Sequence, residues 1–298
     1  MVVHDLDRQA MQPPLLTVAM PVYNAGKYLR MAVMSIVKQT FADWELLIID
    51  DGSTDEAFQD IADIQDGRIQ VIRDGVNKGL AARLNECIDL ARGQYFARMD
   101  SDDASYPERL ARQIAALQKE PELDLVATRA IMIDENDQVT GLFPYAIAHE
   151  EICAKPWQGF YFPHPSWMGR TAWFRKYRYA EPSPYFCEDQ ELLLRSYRNS
   201  RFTTLDEILF AYRIRSNVNW KKLAGTRSAV WDLQMQQFAR LHQWCFIFLA
   251  TAVYLAKMSG DLLNRLWRGG FKTRRDLADN DAKFKWHKIH EALVASTA

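Results

Sequence analysis

An α/β fold, with a mostly parallel, Rossmann-like sheet flanked by helices and a helical C-terminal extension, is predicted for this chain by three observations. Short apolar runs alternate with amphipathic stretches from Leu15 onward, two of those runs lead directly into acidic clusters, and the pattern beyond Trp220 is helical. Carboxylates gathered at strand ends repel one another and are costly to desolvate. They point to a cation, a hydrogen-bonding ligand or a proton-transfer role.

The runs Leu15 to Met20, Glu45 to Ile49, Ile69 to Ile72, Tyr95 to Met99 and Leu123 to Ala127 read as strands. Between them, Lys27 to Gln39 places Leu29, Val33, Ile36 and Val37 on one helical face, and Leu80, Leu84, Cys87, Ile88 and Ala91 repeat that spacing. Such alternation argues a covered, largely parallel sheet, whose ligands bind beyond the carboxyl ends of the strands. Pro21-Val22-Tyr23-Asn24, Asp50-Asp51-Gly52-Ser53-Thr54-Asp55 and Asp100-Ser101-Asp102-Asp103 all fall on that rim. Ser53 or Thr54 is expected to cap a following helix, and Asp103 or Ser105 the helix opened by Pro107-Glu108-Arg109-Leu110.

After Gly141 the chain turns aromatic-rich, with Trp157, Phe160, Tyr161, Phe162, His164, Trp167 and Trp173 ahead of a helix near Glu188, which suggests a pocket-bearing insert. Trp157, Phe160, Tyr161 and Trp167 offer flat faces for stacking on a ligand, or build core. Trp244 to Ala256 is almost wholly apolar but shorter than the roughly 18 to 20 residues of a spanning helix. Arg265, Trp267, Arg268, Phe271, Lys272, Arg274 and Arg275 follow, so residues 244–275 suit peripheral contact with an anionic membrane surface; a core helix with a solvated basic end is the plainer alternative.

Composition narrows the function. Lys and Arg total 37 against 38 Asp and Glu, so the overall balance asks for no nucleic-acid partner. Cys87, Cys153, Cys187 and Cys245 lie far apart without CxxC spacing, as scattered reduced thiols do. Acids stand in the first residues where a secretory signal would be basic, so a cytoplasmic location is expected. The first strand leads into Pro21-Val22-Tyr23-Asn24-Ala25-Gly26 rather than GxGxxG, against a dinucleotide-dependent oxidoreductase.

Asp100 and Asp102 stand two apart, so a continuing strand projects them to one side, with Asp103 adding a third carboxylate. That set suits Mn2+ or Mg2+, completed by water and ligand phosphates; turn and cap formation is the competing reading. Asn77-Lys78-Gly79 begins a helix whose positive end, with Lys78 or Arg83, can face an anion or simply solvent. Glu188-Asp189 opens an apolar helix and complements its dipole, while a general base requires one of the pair to face the reacting group.

In this order, Pro21-Val22-Tyr23-Asn24, Asp50-Asp51-Gly52-Ser53-Thr54-Asp55, Asn77-Lys78-Gly79, Asp100-Ser101-Asp102-Asp103, Pro107-Glu108-Arg109-Leu110 and Glu188-Asp189 resemble glycosyltransferase family 2, inverting enzymes of the GT-A nucleotide-sugar fold, over roughly residues 15 to 215. The resemblance implies a 1–14 tail, a 15–218 catalytic domain with a 15–128 nucleotide-sugar half and a 129–218 acceptor half, and a 219–298 helical extension. It implies Asp189 as catalytic base, oriented by Glu188. A donor site is implied at Pro21, Tyr23, Asn24, Asp51, Asn77, Lys78, Arg83, Asp100, Ser101, Arg213 and Arg215. Metal ligation falls to Asp102 and Asp100, and acceptor contact to His164, Trp167 and Glu188. Tyr212-Arg213-Ile214-Arg215 resembles the family's Tyr-Arg-x-His segment, with Arg215 in place of a histidine; Arg ligates no metal but binds phosphate as a fork.

The implied reaction transfers a sugar from a nucleoside-diphosphate donor, UDP-linked, to a glycan or lipid-linked acceptor at the inner face of a bacterial membrane, in surface polysaccharide synthesis. A non-catalytic nucleotide-sugar-binding or scaffold protein on the same fold is the alternative, and oligomeric state stays open.

Overall fold

The computed structural model describes residues 12–214, 220–268 and 278–295. The acidic N-terminal residues, Arg215 and the basic and aromatic residues from Phe271 to Arg275 lie outside them.

The first half follows the expected alternation: β1 (Leu16–Val22), α1 (Leu29–Val37), β2 (Trp44–Asp50), β3 (Ile69–Arg73), α2 (Leu80–Leu90) and β4 (Tyr95–Arg98). The order β3-β2-β1-β4 is parallel throughout. Side-chain alternation explains why every residue of β1 and β2 is buried. Leu16, Val18, Met20 and Val22 pack with Leu29, Val33 and Ile36 of α1 on one face. Ala19, Leu47 and Ile49 pack with Leu84, Cys87 and Ile88 of α2 on the other.

The second half comprises β5 (Ala104–Ser105), α3 (Arg109–Lys119), β6 (Leu125–Ile133), β7 (Val139–Leu142), α4 (His149–Ile152), β8 (Met168–Arg170), α5 (Thr171–Tyr177), α6 (Glu188–Ser196) and β9 (Phe202–Arg213). Here the sheet is mixed: β8 runs antiparallel between β4 and β6, β6 pairs with β9 in parallel, and β5 and β7 add antiparallel edges. β8 thereby joins the nucleotide-side strands to the rest of the sheet.

Both expected caps fail, for one reason: the side chains make longer-range bonds. Ser53 Oγ accepts from the Asn24 N–H (3.1 Å) and the Thr54 N–H donates to Asn24 Oδ1 (2.8 Å), and the segment after them forms only a 3-10 turn, Gln59–Ile61. α3 begins at Arg109 without a side-chain cap, while Ser105 lies in β5 and Asp103 is buried beneath the sheet edge.

The extension holds α7 (Trp220–Arg240), α8 (Trp244–Arg268) and α9 (Asn280–Ala295). The apolar stretch of α8 runs further than the sequence pattern predicts, 20 residues from Trp244 to Leu263 with mean hydropathy 1.5, long and apolar enough to cross a membrane. One face packs on α7 through Trp231 Nε1 to Thr251 Oγ1 (3.1 Å) and the Arg227–Asp261 ion pair (2.6 Å). Trp244, Phe248, Leu255, Leu262 and Leu263 stay exposed on the other. Helix α9 returns to the sheet, burying Trp286 and Leu293 against Tyr106, Ile131 and Ile133.

The β8 junction is tight at Gly169, which pairs with Phe96 and Leu125. A Cβ there would stand 2.3 Å from the Asp124 carbonyl oxygen, a backbone atom that cannot swing aside. Gly169→Ala is therefore expected to destabilise the fold by about 3 kcal/mol, the upper end for overpacking. The readout is a lower urea midpoint at unchanged slope, and a wild-type midpoint would show that the strands yield.

Candidate active site

The loops after β1 and β2 are bolted together at the rim. The Asp51 N–H donates to the Val22 carbonyl (2.7 Å), extending the ladder by one residue. Gly26 N–H donates to Asp55 Oδ2 (2.7 Å), and Asn77 Nδ2 to the Asp51 carbonyl (3.0 Å). Burial alone would raise the Asp50 carboxyl, but bonds from Ser53 and the Arg73 guanidinium (2.8 Å) outweigh it and hold it below the usual range.

Asp51 caps α2. Its carboxylate accepts from the Lys78 N–H (2.6 Å), the Gly79 N–H (3.0 Å) and Arg83 Nε (3.0 Å). Gly79 takes φ of 88°, a left-handed conformation that glycine adopts without strain, and so aims its N–H at Asp51. The start of α2, read from the sequence as facing either an anion or solvent, thus has the protein's own carboxylate on the N–H groups of Lys78 and Gly79. Arg83 is corrected likewise: wholly buried, it spends its N–H groups on Asp51, Asp74, Glu86 and the Val76 carbonyl, which leaves no face for a donor. The Lys78 ammonium pairs with Asp74 (2.7 Å). Of the other donor-side residues, Pro21 is interior to β1, whereas Tyr23, Asn77 and Lys78 are exposed at the rim and Asn24 half-buried.

The second group surrounds the loop after β4. Asp100, Asp102 and Asp103 each bring a carboxylate oxygen within 4.8 Å of the others, with Ser101 half-buried between them. Asp103 is fully buried: Oδ1 accepts the Arg213 N–H (2.7 Å), and Oδ2 has no partner among the described residues. Burial, with the charges of Asp102 and Asp100, pushes the Asp103 carboxyl well up. An orphaned acceptor inside three oxygen-donor side chains fits a hard divalent cation.

Two arginines frame this loop. Arg98, which the motifs do not single out, is buried; its Nη2 lies 2.6 Å from Asp100 Oδ1, and its Nε and Nη1 have no partner among the described residues. Its signal in the sequence is a cation inside an apolar strand run, directly before the acids. Arg213, expected at the donor diphosphate, is corrected: its side chain is wholly covered, with Nε on the Asp102 carbonyl (2.7 Å), Nη1 on the Asp134 carbonyl and Nη2 on Asp137 Oδ1 (2.6 Å). The expectation for Arg215 falls outside the described residues.

The acid pair opens α6. Glu188 Oε1 lies 3.8 Å from His164 Nδ1, whose Nε2 contacts the Tyr179 hydroxyl (2.8 Å). Burial, reinforced by the Arg98 charge, holds His164 well below its ordinary pKa, so the imidazole is neutral near pH 7. Burial and the Asp189 charge push Glu188 up to about 7; Arg98 opposes that rise and Asp100 adds to it. Burial also raises Asp189, against the bond from Gln190 Nε2 to its Oδ2 (3.1 Å). The α6 acids and the post-β4 acids are therefore electrostatic neighbours, with Arg98 acting on both.

Trp167, expected at the acceptor, is corrected: fully buried, it donates its indole N–H to the Phe162 carbonyl (3.2 Å) and packs behind His164 with ring centroids 4.4 Å apart. Phe160 is also core, and Trp157 packs on Phe246 of α8, so of the four stacking candidates only Tyr161 is exposed. Sequence reasoning passes over Tyr185 and Phe186. They are 49% and 55% exposed just before Glu188, and their signal is two adjacent aromatics preceding the acid pair.

Chemically, the arrangement offers a loop of three carboxylates able to hold a cation, and a Glu188 carboxyl, pushed up to about 7, able to exchange a proton near neutral pH. The model of Glycosyl transferase family 2 matches residues 17–178. Among curated proteins, EpsE of Bacillus subtilis (strain 168) is 33% identical over 263 residues, 85% of this chain and 92% of EpsE. WfgD of Escherichia coli, named a UDP-Glc:alpha-D-GlcNAc-diphosphoundecaprenol beta-1,3-glucosyltransferase, is 35% identical over 105 residues, 35% of this chain and 42% of WfgD. Among solved structures, S. aureus TarS 1-349 in complex with UDP-GlcNAc superposes with a TM-score of 0.64 at 16% identity, covering 95% of this chain and 81% of that one. The mannosyltransferase PcManGT of Pyrobaculum calidifontis, in complex with GDP-Man and Mn2+, gives 0.54 at 13% identity over 95% and 86%. The structural likenesses establish a shared GT-A fold, and on the sequence matches the chain belongs to glycosyltransferase family 2.

Proposed function

We propose that the protein is an inverting transferase that moves a sugar from a UDP-linked donor to a hydroxyl of a glycan or lipid-linked acceptor in bacterial surface polysaccharide synthesis. The observation that carries this reading is the Asp100–Asp102–Asp103 carboxylate cluster, whose Asp100 pairs with a buried Arg98 (2.6 Å) that also exerts its charge on Glu188 and Asp189. TarS, solved with UDP-GlcNAc, supports the donor class, and the name of WfgD supports a lipid-diphosphate acceptor.

In this reading residues 15–128 hold the nucleotide and 129–218 the acceptor. Tyr23, Asn24, Asn77 and Lys78 border the nucleoside, with Asp51 reached at the loop they enclose, while Asp100 and Ser101 approach the ribose. Asp102, Asp100 and Asp103 would hold Mn2+ or Mg2+, which neutralises charge on the departing diphosphate when bound. PcManGT, solved with Mn2+ on the same fold, is consistent with this. Asp189 takes the proton of the acceptor hydroxyl as its oxygen attacks the anomeric carbon from the side opposite the leaving group. Glu188, backed by neutral His164, orients the acceptor or the base. Tyr161, Tyr185 and Phe186 offer exposed rings to an acceptor sugar.

The exposed apolar face of α8 lies against the inner face of the cytoplasmic membrane, aided by the cations between Arg265 and Arg275. A lipid-linked acceptor is then held in the same membrane that the enzyme touches.

Asp189→Asn is expected to lower kcat by about 100- to 10,000-fold while donor binding measured by calorimetry persists. Wild-type protein that binds donor yet transfers nothing to any of a panel of acceptors would instead favour the non-catalytic nucleotide-sugar-binding reading. Because Asp189 must be ionised to take the proton and burial raises its carboxyl, the acid limb of wild-type transfer should lie above the ordinary aspartate range, and a limb at or below that range would contradict the assignment. Glu188→Gln removes a neighbouring negative charge, so the acid limb of the residual activity should move to lower pH; a limb that stays or moves up contradicts the pairing. Phe248→Asp with Leu255→Asp should reduce co-sedimentation with anionic vesicles, and unchanged partitioning of the folded variant would exclude the α8 contact.

A further inference from the structure

Helix α9 lies outside the segment that the family model matches, yet it reaches the cation loop through two residues. The turn between β6 and β7 is fixed by Asp134, whose Oδ1 accepts from the Asn136 N–H (2.8 Å) and the Gln138 N–H (2.9 Å). That turn presents Asp137 in a left-handed conformation, φ of 64°, which Asp tolerates better than most residues. Three contacts then converge on Asp137. Trp286 Nε1 of α9 donates to its carbonyl (2.9 Å), His290 Nε2 of α9 lies 3.3 Å from Oδ2, and Arg213 Nη2 donates to Oδ1 (2.6 Å). Helix α9 is itself anchored, with Trp286 stacked on Tyr106 at 6.2 Å and the Lys38 ammonium donating to the Ala292 carbonyl (2.7 Å).

Arg213 carries the connection onward. Its Nε holds the Asp102 carbonyl and its backbone N–H holds Asp103 Oδ1, each at 2.7 Å, while its guanidinium lies 4.1 Å above the Tyr28 ring. A guanidinium with no exposed surface is costly without a counter-charge, and Asp137 supplies it. The residue that Asp137 neutralises is therefore the same one whose backbone and guanidinium hold Asp103 and the Asp102 carbonyl. Asp137 thus fixes the guanidinium that fastens this loop, and α9 keeps Asp137 in place.

We infer that Asp137, clamped by α9, is a positioning residue that acts through Arg213 to set the geometry and cation affinity of the Asp100–Asp103 loop. The inference rests on the proposed cation site for its affinity arm and on hydrogen-bond geometry alone for its structural arm. It gives the C-terminal extension a role at the active site that is separate from any membrane contact of α8.

The test uses the full-length chain as Asp137→Asn and, leaving the turn untouched, as His290→Ala. Two readouts are taken: equilibrium Mn2+ binding by electron paramagnetic resonance, and hydrogen–deuterium exchange of peptides covering residues 100–105. Asp137→Asn is expected to weaken Mn2+ binding about 10- to 100-fold, the range for groups that orient metal ligands, and to speed exchange in 100–105 while β1 to β3 keep wild-type protection. His290→Ala should shift both readouts in the same direction by less. Exchange in 100–105 and Mn2+ affinity both unchanged in folded Asp137→Asn would overturn the inference. Should the wild type bind no Mn2+, the cation-site reading falls, and exchange alone decides whether Asp137 positions the loop.

Discussion

Buried arginines make it possible for this protein to collect carboxylates at one edge of its sheet. Arg83, Arg98, Arg109 and Arg213 are all buried around the ends of β2, β4 and β9. Arg83 anchors Asp51 to α2, and Arg98 pairs with Asp100 while its charge acts on the α6 acids. Arg109 ties α3 to the Arg98 carbonyl (3.0 Å), and Arg213 tethers Asp102 and Asp103. Breaking such a buried pair by removing one partner typically costs about 3–5 kcal/mol, because the other charge is left without compensation. The acids are held in place by interactions that the folded chain provides before any ligand arrives, and this preorganisation is what an electrostatic site requires.

The fold positions that edge through the alternation of its strands. Parallel β1 to β4 bring their carboxyl ends to one side, and β8, squeezed in at Gly169, ties this half to the strands carrying the remaining loops. The Arg98 N–H donates to the Trp167 carbonyl (2.8 Å), so the strand that delivers the acidic loop is fastened to the segment that delivers His164. The C-terminal extension then closes the structure from two directions. α7 and α8 cover α6 and the aromatic insert, while α9 covers the β5 edge and clamps Asp137.

Much of this is legible in residue pattern. Apolar runs locate β1 to β4 within two residues, and amphipathic spacing locates α1 and α2, because period-two and period-3.6 patterns follow directly from which faces are buried. The family's motifs fall on the loops after β1, β2 and β4 and on the starts of α2, α3 and α6. Side-chain direction is not legible. Arg83, Arg213 and Trp167 have the residue types of ligand contacts, yet each is turned inward, and only the partners they acquire in the folded chain, Asp74, Asp137 and Phe162, decide that. Arg98 is masked because a strand pattern records its apolar neighbours first. The length of α8 is underestimated because Lys257 and Asp261 interrupt an apolar run that the helix continues through; Asp261 is turned to the α7 side, where it pairs with Arg227.

The proposed reaction is a single displacement in which Asp189 activates the acceptor and no protein side chain bonds to the sugar. Proton NMR of the first sugar that wild-type protein releases from a UDP-α-sugar, recorded before mutarotation scrambles the anomers, reads the stereochemistry directly. Single displacement predicts the β anomer first; the α anomer appearing first, under conditions where the enzyme outpaces mutarotation, would contradict it.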